Sequence, residues 1–159
     1  MRFLLLVLVQ ALILNNINFL GYINPYIYIL FILLYPVKNN RMLFIFLGFL
    51  LGLSVDLFLD SGGVHAASSV LITYARPIFL KFAFGTSYEH QNLKFGQTEF
   101  GQRLTYFLII IVIHHLLLFS LEVFNTSKIT LILKKTLFSS IFTLILSLIL
   151  TTLFSSSRR

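Results

Sequence analysis

Polar and apolar positions along this chain fall into long blocks. Six apolar runs are separated by short polar, proline or glycine punctuation, at about 3–20, 25–36, 42–60, 64–84, 104–124 and 130–154. Each run predicts an α-helix, and a stretch of about 20 apolar residues is what a bilayer crossing requires. The second run is bounded by Pro25 and Pro36. It holds too few residues to cross ~30 Å of hydrocarbon at ~1.5 Å each. It is therefore extended at one end, tilted among neighbours, or re-entrant, which gives six spans or five. Arg76-Pro77 interrupts the fourth run. Proline removes a backbone donor and bends the axis, so a break is expected there, with the Arg76 head snorkelling to the headgroups.

Composition sharpens the picture. Of 159 residues, 58% are hydrophobic and 11% charged, and the mean hydropathy is +0.94. One small water-soluble domain cannot hide that much apolar surface. The chain reads as an all-α integral membrane protein, one multi-spanning domain over 1–159. It has no cysteine, which excludes disulfides and thiolate metal sites. The net charge of +7 fits membrane orientation better than nucleic acid, because no basic cluster is interleaved with aromatics. The start, MRFLLLVLVQALIL, has a basic residue and an apolar run like a signal peptide. It runs into Asn15, Asn16 and Asn18 without a small-residue cleavage site, so an uncleaved first span is expected.

Lys and Arg placement sets the orientation. With the N-terminus inside, nine lie on the cytoplasmic side: Arg2, Lys38, Arg41, Arg76, Lys81, Lys94, Arg103, Arg158 and Arg159. Three lie outside: Lys128, Lys134 and Lys135, the last two snorkelling from the start of the sixth helix. Both termini are expected in the cytoplasm.

Within the third run, Gly48, Gly52, Asp56 and Asp60 recur at every fourth position and so form one helical stripe. Gly48 and Gly52 let another backbone approach, and Asp56 needs a donor inside the bundle because a lipid-facing carboxylate is costly. These three residues form the expected packing seam. Asp60 opens the turn DSGGVH, where Asp60 or Ser61 caps the next helix and Gly62 and Gly63 supply the turn geometry.

His114 and His115 are adjacent in the fifth run and point ~100° apart, so they cannot chelate one metal together. One of them is expected to reach across the bundle, to Asp56 or to a backbone carbonyl. Asp56, His115 and Glu122 make a hypothetical outer polar cluster. The loop 85–103 repeats Phe-Gly-Gln and reads either as a flexible connection or as a docking loop offering Tyr88, Phe95 and Phe100. No phosphate loop, zinc motif or nucleophile elbow occurs, and no enzyme, metal or cofactor is indicated.

The segments resemble the rod shape-determining protein MreD family. The similar features are Asn24-Pro25 through Tyr35-Pro36, then Gly48, Gly52, Leu53 and Asp56. The turn Gly62-Gly63 with His65, Ala66 and Ala67 follows, and late in the fifth run come Glu122 and Phe124. The likeness covers nearly the whole chain in size and run order. His114-His115 and the loop 85–103 fall outside the family pattern. The resemblance implies a non-catalytic subunit of the bacterial inner membrane with no cofactor. It would bind the single-span protein MreC and connect indirectly to an MreB-like filament and to cell-wall synthases. It also implies the six-helix fold of the substrate-binding subunit of energy-coupling-factor transporters. A vitamin-type solute-binding subunit is the alternative, although the first run lacks small residues spaced by four.

Overall fold

The computed structural model describes residues 2–17, 23–89, 93–124 and 126–156. Six α-helices follow the six apolar runs: α1 (Arg2–Leu12), α2 (Ile29–Leu34), α3 (Arg41–Leu59), α4 (Val64–Phe84), α5 (Phe100–Val123) and α6 (Ile129–Ser156). No β-strand occurs among the described residues. α3, α5 and α6 are long and apolar enough to cross a membrane. α4 spans 21 residues, but it buries His65, Ser68, Ser69, Thr73 and Arg76. From α3 onward each helix packs against the next in chain order, while α1 lies against α3 and α2.

The surface is what lipid selects. Met42 and Leu57 on α3, Ile78 and Phe82 on α4, and Leu133 and Leu153 on α6 are all exposed. An apolar surface on this scale marks a membrane or partner-facing molecule. The loop 85–103 contains two short 3-10 turns, Thr86–Glu89 and Phe95–Gln97, and α5 already begins at Phe100.

Two expectations about helix ends need correction. Asp60 does not cap α4. It adopts the left-handed conformation (φ 51°) and closes α3, its N–H donating to the Asp56 carbonyl. Gly63 occupies the cap position of α4 without a side-chain bond, and Gly62 and Gly63 both have positive φ, which glycine adopts without steric cost. The Arg76-Pro77 pair does not break α4, which runs unbroken from Val64 to Phe84.

The second run shows why it is short. Only six of its residues are helical, about 9 Å of rise, so α2 does not cross a membrane as a helix. It nevertheless lies at the centre, with Tyr28, Ile29, Ile32 and Leu33 fully buried. The stretch before it is not helical, although the Ile27 and Tyr28 carbonyls accept from Leu30 and Phe31 N–H, and such backbone is tolerated at depth only where protein groups satisfy it. Gln10 on α1 does so twice. Its Oε1 accepts from Ile27 N–H at 2.8 Å, and its Nε2 donates to the Pro25 carbonyl at 3.1 Å. Thr143 on α6 accepts from Tyr26 N–H at 3.0 Å.

An unpaired buried amide costs about 1–3 kcal/mol. Gln10→Leu and Thr143→Val should each lower unfolding stability in mixed micelles by about that much. An unchanged unfolding midpoint for both variants would refute this role.

Candidate functional site

The α3–α4 seam is built on the two glycines. A Cβ at Gly48 would lie 2.5 Å from Thr73 Cγ2. A Cβ at Gly52 would run into the His65 carbonyl and lie 2.6 Å from Ala66 N. The second obstacle is backbone, which cannot rotate away, so Gly52 marks the tighter approach. One turn on, Asp56 takes the place a capping residue of α4 would have. Its Oδ1 accepts from His65 N–H at 3.0 Å and from Ser61 Oγ at 2.6 Å, and its Oδ2 accepts from Ala66 N–H at 2.8 Å. A carboxylate there satisfies two orphan donors and complements the positive end of the helix.

The expected cluster of Asp56, His115 and Glu122 does not form. Asp56 is turned to Ser61 and the α4 start. Glu122 turns to the surface and pairs with Lys135 at 2.7 Å. His115 faces α6 instead. Its Nδ1 lies 2.7 Å from the Ile111 carbonyl, which can only accept, so Nδ1 carries the proton. The bare Nε2 then accepts from Thr143 Oγ, 3.3 Å away. A single directed path results: Tyr26 N–H to Thr143, Thr143 to His115, His115 to the Ile111 carbonyl.

A second polar centre joins three elements. Tyr28 places its hydroxyl 2.9 Å from His65 Nδ1 and 3.0 Å from His114 Nε2. One phenol has one proton, so it donates to one ring and accepts from the other. His114 Nδ1 is buried with no hydrogen-bond partner among the described residues. An orphaned N–H is less tolerable than a bare lone pair. His114 therefore donates through Nε2 to Tyr28, and Tyr28 donates to His65. No group of three metal-ligating side chains is present among the described residues.

The loop residues expected to meet a partner divide. Phe100 is exposed, but Tyr88 and Phe95 are buried, and Phe95 stacks on Tyr106 with centroids 5.4 Å apart. Both are held inward because apolar rings gain by covering the end of the bundle.

Arg76 departs most from expectation. It is 3% exposed and does not snorkel. Its Nη2 donates to the carbonyls of Leu33 (3.2 Å) and Tyr35 (2.6 Å), and its Nε donates to the Tyr106 hydroxyl (2.7 Å). The guanidinium also lies over the rings of Phe44 and Phe95. Tyr106 donates to the Leu33 carbonyl as well, at 3.2 Å. The last carbonyls of α2 are thus capped from α4 and α5.

Reading the sequence missed Gln10, Tyr28, Tyr106 and Thr143. A signal for the last was present: Thr136, Ser140, Thr143, Ser147 and Thr151 recur at three or four positions on α6 and are all buried. No family model, curated protein or solved structure matches the chain.

Two predictions follow from this geometry. Gly52→Ala should destabilise more than Gly48→Ala, with overpacking costs of about 1–3 kcal/mol. Asp56→Leu should cost more than Asp56→Asn, which retains one acceptor oxygen. Normal folding and stability of Gly52→Leu and Asp56→Leu would overturn the seam. Separately, imidazole nitrogen NMR shifts should report His115 as the Nδ1–H tautomer and His114 as the Nε2–H tautomer. The opposite assignments would break the two paths.

Proposed function

We propose that the chain is a non-catalytic membrane subunit of the bacterial cell-elongation machinery, of the MreD kind. In this reading it sits in the cytoplasmic membrane with both termini on the cytoplasmic side. It binds an MreC-like single-span protein and through it organises lateral peptidoglycan synthesis with an MreB-like filament and cell-wall synthases. The bundle would share the fold of the energy-coupling-factor substrate subunit without its solute site.

One observation carries the reading. Of the residues of the resemblance, Gly48, Gly52, Asp56, His65 and Ala66 act together as one packing unit between α3 and α4, and Gly62 and Gly63 supply the turn that joins the two helices. This packing role supports the scaffold reading. Asp56 accepts three hydrogen bonds, and both His65 and His114 are engaged by Tyr28. The solute-binding alternative asks for an available Asp56 in an open outer pocket. Asp56 is instead buried and already accepts three hydrogen bonds, which weighs against it.

The test is affinity purification of the tagged chain from native membranes after brief cross-linking, with partners identified by mass spectrometry. A single-span coiled-coil protein with cell-wall synthesis enzymes is expected. Paired ATPases with a membrane coupling subunit would overturn the proposal in favour of solute uptake.

A further inference from the structure

Arg76 is a buried cation surrounded by neutral groups. Its hydrogen-bond acceptors are two carbonyls and a phenol, and its ring neighbours are Phe44 and Phe95. Among the described residues the ion pair is Lys135–Glu122, which involves neither Arg76 nor its surroundings. Buried charges are ordinarily paired, because desolvation without a counter-charge is costly.

The guanidinium borders a cleft of about 170 Å³ between the segment after α2 and the facing ends of α3 and α4. That space exceeds the ~30 Å³ share of one water several-fold. Lys38 and Arg41 line the same cleft from its mouth, and both are exposed. Among the described residues no Asp or Glu lines it. Three cationic residues therefore border one space. The nearby start of α3 is not the source of attraction, since Asn40 Oδ1 already accepts from Met42 and Leu43 N–H.

We propose that this cleft binds a phosphate group, supplied by the headgroup of an anionic phospholipid. Arg76 forms the floor and Lys38 and Arg41 close over the phosphate oxygens. Guanidinium and ammonium donors suit phosphate, and a buried arginine is already desolvated for it. Two features favour a lipid source over free phosphate. Phe44, Pro77 and Leu80 give the cleft an apolar wall. Just beyond it Met42, Tyr74 and Ile78 are exposed, a surface that acyl chains cover. Arg41 is set towards this edge, donating to the Tyr74 carbonyl and lying over the Tyr74 ring. The inference does not depend on the elongation reading.

The test uses the full chain in mild detergent, with bound lipid read by native mass spectrometry against phosphatidylglycerol and phosphatidylcholine. Phosphatidylglycerol should be retained in preference. Because Arg76 also caps α2, the informative variant is Lys38→Gln with Arg41→Gln, at exposed positions. It should weaken phosphatidylglycerol binding about 10- to 30-fold, at roughly one cation's contribution each. Lys128→Gln with Lys134→Gln, the same charge change on exposed lysines of α6 and the turn before it, should leave binding unchanged. Inorganic phosphate at millimolar concentration should fail to compete. If it displaces the lipid fully, the site is a free-phosphate site and the lipid assignment is overturned. Equal retention of both lipids, or equal loss in both double variants, would overturn the cleft altogether.

Discussion

A short, partly non-helical segment at the centre of an apolar bundle must have every backbone polar group answered. Residues 23–36 impose that constraint, and Gln10, Thr143, Arg76 and Tyr106 serve it. Gln10 and Thr143 satisfy the amides and carbonyl on the way into α2. Arg76 and Tyr106 satisfy the carbonyls on the way out. Lipid offers no hydrogen bonds, so these side chains are conditions of the segment's being there at all. The same demand accounts for the buried arginine of α4. That helix faces α2 with His65 at one end and Arg76 at the other.

The α3–α4 seam obeys a related rule. Close approach at Gly52 brings the first turn of α4 against α3, where water cannot reach its free amides. Asp56, one turn along the same face, answers them. The glycines and the carboxylate are thus parts of a single solution, the first creating the need that the second meets. A stripe of period four is the simplest way to write both on one helix.

This explains which features were legible in the sequence. The order and approximate limits of the helices follow from blocks of hydropathy, which depend only on local composition. The Gly48, Gly52 and Asp56 face follows from helical period. What remained hidden depends on which distant elements meet. Nothing near Thr143 says that it serves Tyr26, and nothing near Arg76 says that the carbonyls of α2 end beside it. A lone arginine next to proline reads as an interfacial anchor until the short α2 supplies acceptors at its depth. His115 could be assigned a reach across the bundle from its position alone. That the reach ends at Thr143 rather than Asp56 is a matter of tertiary rotation. Tyr88 and Phe95 illustrate the converse, since a polar loop sequence gave no sign that its rings turn inward.

The bond between Tyr26 and Thr143 joins residues 117 apart. Its consequence lies in the order of assembly. A chain made from its N-terminus presents Gln10 to the Pro25–Ile27 stretch at once, but α6 emerges only after α1 to α5. Until then the Tyr26 amide has no partner inside the bundle, and the segment is better off in contact with water or with the insertion machinery than in hydrocarbon. The centre of this bundle therefore waits for α6. Truncation before α6 removes more than one helix: it leaves the middle of the bundle without the group that lets it be buried.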